Sequence, residues 1–151
     1  SYINVQGDEP VLNPEDLKTV IAKVEENPEK IYNGFAEIKE EENYFSPNIP
    51  KVIFHSVTKE LIYMSRAAVP ANKKFTFDKA WKQVCIYAFP KHCLDAFSIH
   101  EKTPLEAIED IEVLRFLELG YSVQMIPLSG KGIAVDVPED IIKVETYLNE
   151  N

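Results

Sequence analysis

The sequence has few cysteines, few basic residues and no long apolar run, and each shortage argues against a class of protein. Its two cysteines, Cys85 and Cys93, are too few for a disulfide framework, so we expect both to be reduced thiols. The formal net charge of −9 disfavours nucleic acid and anionic membranes as partners. No apolar run reaches the roughly 18 residues that a membrane-spanning helix requires, and no signal-peptide pattern is visible. We therefore expect a cytoplasmic protein without nucleic-acid or membrane partners.

Glycine is also scarce, at five residues, although loops that bind phosphate depend on it. Neither GxGxxG nor GxxxxGK[ST] occurs, and the clustered basic candidate is the Gly-Lys-Gly turn at 130–132. A bound triphosphate needs several N–H donors or cations near its terminal phosphates. We therefore expect the chain to lack a triphosphate loop and to be inactive by itself as a nucleotide-using enzyme.

Strand-like and helix-like segments alternate along the chain, which is typical of an α/β fold in a single domain, residues 1–151. Asn13-Pro14-Glu15-Asp16 predicts a helix start, and Asn27-Pro28 predicts its end. The runs 51–54 and 61–64 predict a hairpin, an antiparallel excursion in the sheet. Thr103-Pro104-Leu105-Glu106 is a capping box, and its helix should end at Gly120, with Leu105, Ile108, Ile111, Leu114 and Leu117 facing inward. Further strands are expected at 3–5, 33–38, 82–89, 122–128 and 133–135, and further helices at 91–97 and 138–148.

Two aspartates follow predicted strands at opposite ends of the chain. Asp8 comes after the run 3–5 and Gly7, and Asp136 comes after the run 133–135. Ligands of α/β proteins bind beyond the carboxyl ends of strands, and two carboxylates there suit a hard cation such as Mg²⁺. Simpler roles remain open, since aspartate is common in turns and Asp136 precedes a helix start that contains Pro138.

Several segments resemble the sugar-activating cytidylyltransferases of the 3-deoxy-manno-octulosonate (Kdo) type, the CMP-Kdo synthetase family, and follow that family's order. They are NVQGDEP at 4–10, SPNIPKV at 46–52, YMSRAAVP at 63–70, IYAF at 86–89, TPLEAIEDIE at 103–112 and AVDVPED at 134–140. The resemblance covers essentially the whole chain, but the family's opening strand and its Gly/Arg/Lys-rich triphosphate loop have no counterpart. It implies the C-terminal two-thirds of a three-layer mixed sheet of the nucleotide-diphospho-sugar transferase type, without the N-terminal nucleotide-binding strands.

The resemblance implies transfer of CMP from CTP to an acidic keto-sugar, with release of pyrophosphate, as in the synthesis of lipopolysaccharide precursors. It implies CTP and an acidic sugar as partners, Mg²⁺ as cofactor and a homodimer. Asp8 and Asp136 would then be the catalytic residues and the metal ligands. Gln6 belongs to the same Gln-Gly-Asp motif as Asp8 and would bind substrate.

Arg66 lies between apolar segments, and with an acidic sugar as the implied substrate this setting suits a carboxylate clamp, since a guanidinium can bind a carboxylate with two parallel hydrogen bonds. Glu112 best matches the family acid that reaches the sugar hydroxyls, and Glu109 is second. Gln83 stands where the Kdo enzymes have a histidine, and glutamine can donate and accept hydrogen bonds but carries no charge. In a regular strand Tyr87 shares a face with Gln83, so both are predicted to line one pocket.

Other interpretations of these residues remain open. Arg66 would serve equally as a salt-bridged surface arginine, and Glu109 and Glu112 as a solvated acidic helix face. Lys51 and Asn48 belong to a matching segment, but a lysine on an edge strand commonly only protects that edge. At the level of function, the alternatives are an acylneuraminate-type cytidylyltransferase and a non-catalytic binding or assembly domain.

Overall fold

The structure, a computed structural model, describes residues 1–7, 9–39, 42, 44–133, 135, 138 and 140–150. The elements in chain order are β1 (Tyr2–Val5), α1 (Pro14–Glu26), β2 (Ile31–Glu37), β3 (Lys51–Phe54), β4 (Leu61–Ser65), β5 (Trp81–Phe89), α2 (Lys91–Ile99), α3 (Pro104–Glu109), α4 (Val113–Glu118), β6 (Val123–Pro127) and α5 (Asp140–Glu150). Among these residues, none of the helices combines the length and apolar character that crossing a lipid bilayer demands.

A six-stranded mixed sheet in the order β4-β3-β5-β2-β6 organises the fold, with β1 paired to β5. β2 and β6 run parallel, and the other pairs are antiparallel. β5 is the central strand, since β2 lies along one of its edges while β3 and β1 share the other. The predicted α/β class and the β3–β4 hairpin are both confirmed.

Side chains alternate along β5 between two hydrophobic cores. Tyr87 and Phe89 face the larger core, where they meet helices α2 and α4. Val84, Ile86 and Ala88 face the smaller core, which contains Val20 of α1. Helices therefore cover both faces of the sheet and give three layers, as expected for an α/β domain with a buried central strand.

The segment 103–120, predicted as one helix, forms two short helices. The capping box is confirmed, because the Thr103 N–H donates to Glu106 Oε2 at 3.2 Å. Asp110 then adopts a left-handed conformation, with φ of 52°, and ends α3. Ile108, in the last turn of α3 and predicted to face inward, is 80% exposed, whereas Leu114, beyond the break, is fully buried as predicted. A residue in the left-handed region interrupts the helix and rotates the side chains that follow.

Other predictions need correction. An apolar run such as 3–5 is typical of a buried strand, but in β1 Tyr2, Ile3 and Val5 are 55%, 36% and 36% exposed, with β5 along one edge. Lys51 is not an exposed edge lysine: it is fully buried and donates from Nζ to Ser46 O at 2.7 Å, since β3 lies between β4 and β5. Burial lowers the pKa of Lys51. Residues 133 and 135 carry no strand, and residue 134 lies outside the described residues.

Candidate functional site

A cavity of about 450 Å³ lies where β5 faces the junction of α3 and α4. It brings together five of the residues predicted from the sequence, namely Gln6, Arg66, Gln83, Tyr87 and Glu112. These residues come from four separate parts of the chain, so the fold itself assembles the group. The site has polar walls and lies beside the larger hydrophobic core, which suits a small polar ligand held in one orientation.

Alternate residues of β5 form one wall of the cavity. Gln83 and Tyr87 both line it, which confirms that they share a face, and Cys85 lies between them. Cys85 was not predicted as a wall residue, although its position two residues from each of the others indicated this face. Burial raises the pKa of Tyr87, so its phenol stays protonated and serves as a hydrogen-bond partner and not as a base.

Arg66 is held at the cavity edge by three backbone carbonyls. Its Nε donates to Glu109 O at 2.5 Å, Nη1 to Pro47 O at 2.9 Å and Nη2 to Asp110 O at 3.0 Å. A guanidinium has five N–H donors, so one hydrogen on each terminal nitrogen is not used by these contacts. The carbonyls fix the position of the positive charge without neutralising it. The left-handed turn at Asp110 makes two of these three carbonyls available.

Glu109 lies apart from the cavity wall and stabilises the segment that carries Arg66. Its carboxylate accepts hydrogen bonds from the Tyr63 hydroxyl at 3.2 Å, the Ser65 hydroxyl at 2.7 Å and the Arg66 N–H at 2.8 Å. Burial alone would raise the pKa of Glu109, but these hydrogen bonds outweigh it and lower the pKa. Glu109 and Glu112 were predicted to lie on the same side of one helix, but the break at Asp110 separates them. Of the two, Glu112 is the one that lines the cavity.

Lys82 is a second cation on the cavity wall and was not among the residues predicted from the sequence. Its Nζ lies 2.6 Å from Glu42 Oε1, and both side chains are largely buried. The wall therefore carries the charge of Arg66, held by backbone carbonyls, and the charge of Lys82, paired with Glu42, together with the acidic side chains of Glu9, Asp110 and Glu112. Such a mixture suits a ligand that has both an anionic group and hydroxyls.

The two predicted metal ligands, Asp8 and Asp136, lie outside the described residues. The segments beside them nevertheless approach each other. A Cβ placed on Gly132 would lie 2.9 Å from Glu9 Oε2 and 3.7 Å from Val11 O. Carboxylate oxygens are the ligands that Mg²⁺ prefers, so the donor types fit this ion. Within the described ranges no group of three or more His, Cys, Asp or Glu side chains could hold a metal, but neither aspartate belongs to that part of the chain.

A smaller apolar cavity of about 120 Å³ adjoins this site and shares Tyr87 and Glu112 with it. Its other walls are mostly apolar side chains of β5, α2 and α4. Phe116 stacks on Phe97 with ring centroids 5.1 Å apart and on Phe89 at 5.2 Å, so the wall is rigid. This cavity would accept a small apolar group attached to a ligand in the larger one.

Comparison with known proteins identifies similar chains. The family described as cytidylyltransferase matches residues 1–126. The chain is 35% identical over 150 residues to the 3-deoxy-manno-octulosonate cytidylyltransferase of Chlamydia pneumoniae, covering 97% of this chain and 57% of that protein. It is 33% identical over 149 residues to the protein of the same name from Cytophaga hutchinsonii, covering 94% and 59% of the two chains.

A solved structure is also similar, that of CMP:2-keto-3-deoxy-manno-octonic acid synthetase complexed with CTP. The TM-score is 0.88 at 27% sequence identity, over 99% of this chain and 61% of that one. The expected nucleotide-diphospho-sugar transferase type of fold is thereby confirmed. The chain spans less than two thirds of the length of each of these three proteins.

Proposed function

This chain belongs to the cytidylyltransferase family, and we propose that it forms the sugar-binding part of an enzyme that transfers CMP from CTP to an acidic keto-sugar, Kdo or a close relative, releasing pyrophosphate. The observation that carries the proposal is the convergence of Gln6, Arg66, Gln83, Tyr87 and Glu112 on one cavity. The names of the similar proteins support the reaction class.

Arg66 recognises the carboxylate of the sugar. Three carbonyls fix its guanidinium, which leaves one N–H on each terminal nitrogen for two parallel bonds to the ligand. A charge that is already fixed loses little entropy when the carboxylate binds. The arginine thus selects acidic sugars over neutral ones and sets their orientation in the cavity.

The hydroxyls of the sugar face the other walls. Glu112 accepts hydrogen bonds from them, and the protonated Tyr87 donates or accepts. Gln83 supplies an uncharged amide at the position where the family resemblance implies a histidine. These contacts orient the anomeric hydroxyl for in-line attack on the α-phosphate of CTP, with cleavage of the bond to pyrophosphate.

Asp8 and Asp136 would hold Mg²⁺, and the ion, when bound, neutralises phosphate charge and favours ionisation of the attacking hydroxyl. Aspartates suit this role because their oxygens only accept and are ionised at neutral pH. Because the sequence contains no glycine-rich triphosphate loop, we expect no CMP-sugar from the chain alone. The family resemblance also implies a homodimer, which sedimentation would test.

Calorimetric titration of purified 1–151 with Kdo tests the proposed sugar site. We expect Kdo to bind and Glu112→Gln to weaken binding by about tenfold, as expected for one charge-assisted hydrogen bond. Glu101→Gln is the matched control, since Glu101 is exposed and does not line the cavity. Absence of Kdo binding, or equal effects of the two changes, would refute the site.

Mg²⁺ binding is tested separately, by titrating Mn²⁺ as a paramagnetic substitute and following its spin-resonance signal. Asp8→Asn and Asp136→Asn should each abolish tight binding with little change in stability, because each replaces a charged ligand by an isosteric neutral group. Asp78→Asn, at an exposed position away from the cavity, is the control. Unchanged Mn²⁺ affinity in either of the first two variants would contradict the assignment.

An acylneuraminate-type substrate is the second candidate, and the adjoining apolar cavity of about 120 Å³ favours it. An N-acyl group on a nine-carbon acidic sugar would fit there while the carboxylate remains at Arg66. Parallel titrations with Kdo and N-acetylneuraminate distinguish the candidates. Tighter binding of N-acetylneuraminate, lost on narrowing the cavity with Leu94→Phe, would favour the second.

A further inference from the structure

A buried amide lies directly behind the wall of the larger cavity. Asn33 of β2 is 1% exposed and stands where the β2–β5 ladder shifts register. Its Nδ2 donates to Val84 O at 3.0 Å and to Ile86 O at 3.1 Å, the carbonyls on either side of Cys85. The side chain thus satisfies two carbonyls at an irregularity of the sheet, where buried polar groups need partners.

These two contacts identify both ends of the Asn33 amide. A carbonyl oxygen only accepts hydrogen bonds, so the atom that contacts two of them must be the NH₂ nitrogen. The opposite end, Oδ1, is therefore an acceptor. The side-chain amide of Gln83 lies 3.0 Å from this Oδ1, and only its nitrogen, Nε2, can donate there. The backbone carbonyls of β5 therefore determine, through Asn33, which way the Gln83 amide points.

We propose that Gln83 presents its carbonyl oxygen, Oε1, to the cavity and accepts a hydrogen bond from one hydroxyl of the sugar, with Asn33 as the positioning residue. One of the two Nε2 hydrogens is committed to Asn33, which fixes the amide plane and turns Oε1, at the opposite end, toward the cavity that Gln83 lines. The backbone is fixed as well, since the Gln83 N–H donates to Pro50 O at 3.0 Å. This assignment depends on the proposed function for the identity of the ligand.

An acceptor in this position binds a ligand that has a donor hydroxyl there more tightly than a ligand that lacks one. A hydroxyl can donate to Oε1, whereas fluorine is of similar size and cannot donate. Replacing that one hydroxyl by fluorine should weaken binding about threefold to tenfold, which corresponds to the loss of one neutral hydrogen bond. If the amide were reversed, Nε2 would face the ligand, and fluorine, as a weak acceptor, would keep part of that hydrogen bond, so the loss of affinity would be smaller.

The test is a calorimetric titration of Kdo and its single deoxyfluoro analogues into wild-type 1–151 and the Gln83→Met variant. One analogue should bind the wild type about threefold to tenfold more weakly than Kdo, and Gln83→Met should bind this analogue and Kdo equally. Gln124→Met is the matched control, because Gln124 lies on β6 away from the cavity, and it should keep the wild-type preference.

Equal affinities of the wild type for Kdo and every analogue would overturn the inference, as would an equal loss for all ligands in Gln83→Met. Failure of the wild type to bind Kdo at all would instead refute the proposed function. The amide orientation can be measured without any ligand, from scalar couplings across hydrogen bonds in NMR spectra. We expect couplings from Asn33 Nδ2 to the carbonyl carbons of Val84 and Ile86, and from Gln83 Nε2 to Asn33 Cγ. Their absence would overturn the inference whether or not Kdo binds.

Discussion

Replacement of Arg66 separates a structural arginine from one that binds the substrate. Its guanidinium contacts the carbonyls of Pro47, Glu109 and Asp110 and also lines the cavity, so both roles are consistent with its position. Arg66→Ala removes both, whereas Arg66→Lys keeps the positive charge but loses the planar group that reaches several acceptors. If Arg66 binds the sugar carboxylate, its replacement weakens the binding of Kdo but not of an uncharged analogue. If Arg66 is only structural, its replacement weakens the binding of both ligands equally.

The contacts of Arg66 indicate how much each change should alter stability and sugar affinity. Arg66→Ala should lower the free energy of unfolding by about 1–3 kcal/mol, less than three full charge-assisted bonds, because the side chain is half-buried and water replaces part of what is lost. The pair with the sugar carboxylate should contribute about 1.5–3 kcal/mol, so the dissociation constant for Kdo should rise about tenfold to 150-fold. The methyl ester of Kdo carries no charge and should bind both proteins with similar affinity.

The assay is calorimetric titration of Kdo and its methyl ester, with urea unfolding of each variant measured in parallel. Arg66→Lys should recover part of the affinity for Kdo, because the charge remains. If Arg66→Ala weakens the acid and the ester by the same factor, the arginine is structural and the clamp is wrong. Unchanged affinity for Kdo would refute the clamp as well.

Three further predictions concern the segments around the cavity. Arg115→Met should lower the free energy of unfolding, measured in urea, by about 3–5 kcal/mol. The change leaves the carboxylate of Glu106, which is 1% exposed and paired to Arg115 Nε at 2.6 Å, without its charged partner. The hydrogen bonds of Arg115 lower the pKa of Glu106 below its ordinary value of 4.5, so its contribution is complete above that value and is lost as pH falls through the lowered pKa. Glu106→Gln should therefore flatten the acid limb of a plot of unfolding free energy against pH. Gly130→Ala should destabilise more than Gly120→Ala on thermal unfolding: both have positive φ, but only at Gly130 would a Cβ approach Ala36 Cβ, at 2.5 Å.

Patterns of a few neighbouring residues predicted most helices and strands, and also predicted which residues of β5 share the face that lines the cavity. The Asn13 cap of α1 forms as expected, with its side chain accepting from the Glu15 N–H at 3.1 Å. The capping acid Glu106, the hairpin of β3 and β4, and the common face of Gln83 and Tyr87 follow from spacings of a few residues. The resemblance supplied most of the residues that meet in the cavity, because motifs retain chemistry that composition does not reveal.

How these residues are held depends on contacts between distant parts of the chain. The break at Asp110, the burial of Lys51 and the placement of Lys82 depend on neighbours that the chain brings close from far away. The bond from Arg66 to Asp110 O joins residues 44 apart, and the bond from Gln83 to Asn33 joins residues 50 apart. Periodicity and capping report only on neighbours within one or two turns. The sequence therefore determined which groups are available for binding, and the packing of distant strands and loops determined which way each of them points.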